Sequence, residues 1–186
     1  MLDRPAPALT TTGRAGIRVL GDGDHDLLRE LHRHGDNSII AGGVEADRPE
    51  FVAAIRAERW STPMVLLDSD EPVAAAMILA ADSQHRHGRL LLLARDAGRA
   101  QASLALYLRH AFWSHPLNRV YTLLPTSVAQ AHAYAELLRA GGFVAEGRLL
   151  AHLRVRMRLV DVDVFGLLRS EFDTWARTNQ PSLVLD

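Results

Sequence analysis

The chain has no cysteine, which rules out disulfides, thiolate zinc sites, iron–sulfur clusters and a cysteine nucleophile. Lysine is also missing, since all 21 basic residues are arginine. A Walker A loop, a pyridoxal-phosphate aldimine and Schiff-base catalysis are therefore excluded. No apolar run approaches the roughly 20 residues that span a bilayer, so a membrane role is not expected and a cytoplasmic location is the default. Neither sign of charge dominates: the formal net charge of -1 gives no bulk attraction to nucleic acid or anionic lipid.

What is present is an ordinary globular composition, 48% hydrophobic over 186 residues, enough for one domain with a substantial core. Residues 1–15, with Pro5, Pro7 and a run of threonines, lack the charged-then-apolar pattern of a signal peptide and read as a flexible arm. Residues 16–172 read as the domain, and 173–186 as a tail of uncertain structure. Hydrophobic periodicity within the domain predicts a strand at 16–20, a helix at 26–34 and a second helix at 48–60 with Pro49 in its first turn. Strands follow at 63–67, 73–81 and 89–94, joined by tight polar turns as an antiparallel meander. A helix at 99–113 precedes a strand at 119–124 and a helix at 128–140, with Ser127 as its N-cap and Gly141-Gly142 as its stop. A long hairpin, 143–155 and 158–168, ends the pattern.

The most informative stretch is Arg95-Asp96-Ala97-Gly98-Arg99-Ala100. It lies between an apolar strand and a helix, where a glycine turn aims several backbone N–H groups at one spot and so forms an anion site. Its R-x-x-G-x-A spacing resembles the pyrophosphate loop of the GNAT N-acetyltransferases. Arg119-Val120 and Ala140-Gly141-Gly142-Phe143-Val144-Ala145-Glu146-Gly147 resemble further elements of that superfamily. Asp161 to Glu171 is similar to the ending of the branch that includes the ribosomal-protein N-terminal acetyltransferases. The resemblance spans about residues 16–172 and implies an α+β (α/β) GNAT fold: a mixed, mostly antiparallel sheet of about seven strands flanked by four helices.

The resemblance also implies an activity, transfer of an acetyl group from acetyl coenzyme A to a primary amine by direct attack in a ternary complex. The acceptor is a small metabolite or a protein N-terminus. The fourth and fifth strands should splay apart, with the pantetheine arm lying along the backbone of Leu91, Leu92 and Leu93 and the oxyanion held by the N–H of Leu92 or Leu93. The diphosphate should meet the turn at Ala97, Gly98 and Ala100, with Arg95 and Arg99 adding charge and Ser127 contributing from the start of the fourth helix. Tyr134, seven residues after Ser127, is the candidate acid for the leaving thiolate. Counting back from Gly142-Phe143 instead places that role at Leu138, with Ala131 in the family's asparagine position.

The base is less determined by pattern. His87, with His85 beside it, is the candidate, because a histidine imidazole can take and give a proton near neutral pH. His32, His34, Asp36 and Asn37 fall where the family builds its acceptor pocket, and His152 is a further acceptor-side candidate. His32 and His34 do not share a helix face and nothing completes a ligand set, so no metal is expected. Two features depart from the family: Asp96 sets a carboxylate beside the anion site, and Leu92-Leu93-Ala94 replaces a polar link. They leave open a donor carried on an aminoacyl-tRNA or a carrier-protein thioester, or a non-catalytic acyl-coenzyme A module. A monomer and a homodimer, paired through the final hairpin, are both compatible with the sequence.

Overall fold

The computed structural model describes residues 15–34, 37, 63–82, 84–155 and 157–179. Residues 1–14 of the expected arm, the helix expected at 48–60 and the last seven residues lie outside the described residues; Ala15, read as the end of the arm, opens β1. Seven strands form one sheet in the order β1-β2-β3-β4-β5-β7-β6. They are β1 (Ala15–Val19), β2 (Met64–Asp68), β3 (Glu71–Asp82), β4 (His87–Ala94), β5 (Arg119–Pro125), β6 (Val144–Val155) and β7 (Arg158–Leu168). Four α-helices are described: α1 (His25–Arg33), α2 (Gln101–Ser114), α3 (Ala131–Ala140) and α4 (Arg169–Asn179). All strand pairs are antiparallel except β4 with β5.

The meander follows from turn chemistry. Ser69 and Asp70 both take positive φ, 53° and 66°, as a two-residue hairpin loop of mirror-image type requires. β2, β3 and β4 then bury almost continuous apolar runs, and α2 is buried from Ser103 to Leu108 and again from His110 to Phe112. A strand sequence that is apolar on both faces belongs in the middle of a covered sheet. β6, at the sheet edge, is exposed along nearly its whole length.

α3 stops at a Schellman arrangement, with the Phe143 N–H on the Leu138 carbonyl and the Gly142 N–H on the Arg139 carbonyl, both at 3.0 Å. Gly142 has φ +91° there, and an added Cβ would stand 3.0 Å from Cγ of Trp175. Gly142→Ala is expected to cost about 1–2 kcal/mol from backbone strain and the forced shift of the indole. Thermal unfolding should register it as a fall of about 3–6 °C in Tm.

Two sequence expectations change. α3 begins at Ala131, not 128, because residues 126–130 fold into turns, with the Val128 N–H on the Pro125 carbonyl at 3.3 Å and the Ala131 N–H on the Val128 carbonyl at 2.9 Å. Ser127 is therefore an exposed turn residue and not the helix cap. The segment read as an uncertain tail carries α4 through Asn179, held by buried Phe172 and Ala176 at helical spacing.

Candidate functional site

β4 and β5 pair in parallel only at His87–Arg119, Gly88–Val120 and Arg89–Tyr121. Beyond these three pairs the strands have no ladder between them, so a cleft opens between residues 90–94 and 122–125. The backbone of β4 alternates in direction. The Arg95 N–H bonds to the Val73 carbonyl on β3 at 2.9 Å, and the β3–β4 register Ala75↔Leu93 and Met77↔Leu91 puts Leu93 and Leu91 in the same phase. Their N–H and C=O groups thus face β3. The groups of Leu92 and Ala94 face the cleft. Of the two oxyanion candidates, Leu92 has the required direction, while Leu91 and Leu93 contribute packing.

At the cleft's end Tyr134, only 2% exposed, is held at both ends of its hydroxyl. The oxygen accepts the Ala94 N–H at 2.6 Å and the O–H donates to Asn37 Oδ1 at 2.7 Å. Asn37 in turn donates to the carbonyls of Leu31 at 2.6 Å and Ala94 at 3.0 Å. Both cleft-facing groups of Ala94 are therefore used by side chains, and α1, β4 and α3 are tied at one buried point. Burial pushes the Tyr134 phenol well above its ordinary value, so the group is a proton-bearing acid at neutral pH. Leu138, the alternative from the backward count, is buried in the core and carries no proton to give.

His87 stands at the opposite end of β4, edge-on to Tyr121 with ring centroids 5.9 Å apart and stacked on His85 at 5.9 Å. Seven residue steps along the strand separate it from Ala94, roughly 23 Å. The structure thus does not bring His87 and Tyr134 together. His152 is exposed on β6, with β5 and β7 between its strand and β4.

Around the 95–100 turn, Asp96 Oδ1 accepts the Arg99 N–H at 3.2 Å and the Ala100 N–H bonds to the Ala97 carbonyl at 3.3 Å. The arginines are paired. Arg99 donates from Nε to Asp68 at 2.7 Å and from Nη2 to Glu71 at 2.8 Å. These hydrogen bonds, Asp68 first, raise its pKa above the usual arginine value. Arg95 meets Glu30 at 2.7 Å and Glu71 at 3.8 Å. Ala97 and Ala100 are buried under the turn, and Gly98 is exposed on it.

Sequence reasoning placed Asn37 only on the acceptor side and missed its bond to Tyr134. The two are 97 positions apart, and no local pattern encodes such a pair. The acids that neutralise Arg95 and Arg99 were missed for the same reason, although charged turn residues at 68–71 next to a basic loop were a visible hint.

This sheet order, with a parallel β4–β5 pair that parts into a cleft and a glycine turn leading into α2, is the GNAT fold. No protein-family model matches the chain, and no curated protein matches it. Among solved structures, the spermidine N-acetyltransferase of Vibrio cholerae in complex with CoA and spermine is similar at 19% identity. That match covers 86% of this chain and 98% of the other, with a TM-score of 0.67. A mutant form of the spermidine/spermine N-acetyltransferase from the same organism aligns at 17% identity over 89% and 99% of the two chains, TM-score 0.69. A structure described as a probable acetyltransferase aligns at 19% identity over 88% and 98%, TM-score 0.66. At these identities the likeness establishes the fold, and these structures lend no support to the ribosomal-protein branch.

Proposed function

We propose that the protein is an N-acetyltransferase that moves the acetyl group of acetyl coenzyme A, as co-substrate, to the primary amine of a small molecule or a protein N-terminus. One observation carries the reading: the unpaired cleft between β4 and β5, which offers the Leu92 backbone N–H to a carbonyl oxygen and ends at the Tyr134 hydroxyl. The amine nitrogen attacks the thioester carbon and forms the C–N bond, and the Leu92 N–H stabilises the oxyanion. As the C–S bond breaks, the Tyr134 O–H turns from Asn37 Oδ1 to the leaving sulfur and gives it a proton; the ammonium of the adduct releases its proton to solvent or a base, and the phenolate regains one from there. Along an extended strand the N–H groups of Leu92 and Ala94 are about 7 Å apart. An acyl oxygen at the first therefore leaves its sulfur within reach of a hydroxyl at the second.

The similarity to polyamine acetyltransferases makes spermidine and spermine the first acceptors to try. Release of free thiol from acetyl coenzyme A over a panel of polyamines, amino sugars, aromatic amines and short peptides tests the reading. Amine-dependent thiol release with a matching N-acetyl product supports it; acyl-thiol binding without release over the whole panel would point instead to a non-catalytic module.

A further inference from the structure

We infer that this protein recognises its donor by the acyl-pantetheine arm and not by the diphosphate, and that Asp96 is the residue that excludes the diphosphate. The inference rests on the acetyl-transfer reading and concerns which part of the donor is held.

The turn after β4 has the shape of an anion cradle but is already occupied by its own carboxylate. Asp96 Oδ1 accepts the Arg99 N–H at 3.2 Å, and a Cβ built on Gly98 would lie 3.4 Å from that same oxygen. The carboxylate therefore stands beside the glycine and takes the Arg99 N–H, one of the turn's donors that a phosphate oxygen would otherwise meet. A second N–H, that of Ala100, is satisfied within the turn by Ala97. An incoming diphosphate would have to displace a charge of its own sign.

The surrounding charges do not compensate. Arg99 forks onto Asp68 and Glu71, and Arg95 onto Glu30 with Glu71 behind it. Among the described residues, and with Asp96 counted, carboxylates outnumber guanidinium groups around the turn. Releasing either arginine to a phosphate would break a bond of 2.7–2.8 Å and leave its acids facing the same anion. The strand end next to the turn is closed as well, since Tyr134 and Asn37 take both polar groups of Ala94. Leu92 still presents its backbone to the cleft, so the arm and acyl group keep a partner, while a diphosphate at the turn would meet the Asp96 carboxylate and two arginines already engaged by acids.

Isothermal titration with two unreactive thiols, coenzyme A and pantetheine, tests this without knowledge of the acceptor. Wild-type protein should bind them within about threefold of each other. Asp96→Gly, which empties the cradle, should tighten coenzyme A by about tenfold, near 1.4 kcal/mol, and leave pantetheine unchanged. Asp96→Asn keeps an acceptor for the Arg99 N–H while removing the charge, and should give part of that gain with the fold intact. Coenzyme A binding the wild type more than about thirtyfold tighter than pantetheine, or unaffected by either substitution, overturns the inference and leaves the acetyl-transfer reading standing. Absence of binding by either thiol, in wild type and both variants, overturns both. Competition against bound pantetheine separates the sources of the arm: displacement by coenzyme A marks a free thioester donor and displacement by a phosphopantetheinyl carrier protein a carrier-borne one. Either result upholds recognition of the arm, and displacement by neither overturns it.

Discussion

Tyr134→Phe should lower kcat by about 10²-fold or more while the Michaelis constant for the thioester donor stays within a few-fold. The phenol stands at the cleft's end, bonded to the Ala94 N–H and to Asn37, and its burial keeps it protonated far beyond neutral pH. Its loss should matter most when the leaving thiol is a poor one. An acetyl thioester of a strongly acidic aromatic thiol expels its leaving group without a proton, so the variant should recover most of its rate with that donor. Equal losses with both donors would mean that phenylalanine damages the cleft and that Tyr134 gives no proton. Some structural cost is expected in any case: the substitution strands the Ala94 N–H and Asn37 Oδ1 in a buried place, worth about 1–3 kcal/mol in a denaturation curve.

The same burial predicts how the fold responds to alkali. Tyr134 and Tyr107 both have pKa values raised above 10 by burial. The unfolded chain releases these protons near pH 10 and the folded chain retains them. Their contribution to stability is full below pH 10 and falls as pH rises beyond it, by about 1.4 kcal/mol per pH unit for each group. Urea midpoints measured from pH 9 to 11.5 should show the decline, and Tyr134→Phe should halve its slope.

How much of this was legible in the sequence depends on how local each feature is. The strand–turn–helix at 89–101, the strand at 119–124 and the glycine stop of α3 were readable because each rests on periodicity or turn chemistry within about a dozen residues. The start of α3 was misplaced because a serine ahead of an apolar run looks like a cap even where tight turns intervene. α4 was overlooked because Phe172, Trp175 and Ala176 are a short apolar stripe in an otherwise polar segment. The state of the anion loop was readable only in part: Asp96 stood out as a carboxylate beside it, but the pairing of its arginines did not. Arg95 and Arg99 suggested a cationic cradle, and the acids that cancel them arrive from α1 and the β2–β3 turn only after the sheet has formed.

Arg169→Ala should be the most damaging surface-side substitution for the fold, at about 3 kcal/mol or a fall of about 6–12 °C in Tm. The guanidinium donates to the carbonyl of Leu117 at 2.9 Å, to that of His115 at 3.0 Å and also to that of Phe112. It also lies over the Phe112 ring, 5.7 Å from the centroid. One side chain thus donates to carbonyls at the end of α2 and along the segment leading to β5. Its own N–H bonds to the Asn118 carbonyl at 2.9 Å, and the Asn118 N–H to the Arg86 carbonyl at 2.6 Å. Arg169 is therefore linked, through the backbone, to the start of β4 and β5, where the two strands are still paired. A cleft between parallel neighbours needs one end held firmly so that the other can stay apart. Arg169→Lys should recover only a minor part of the stability, because an ammonium cannot serve three divergent carbonyls as a planar fork does. If Arg169→Ala unfolds within about 2 °C of the wild type, the carbonyls are served by water and the proposed clamp on the paired end is wrong.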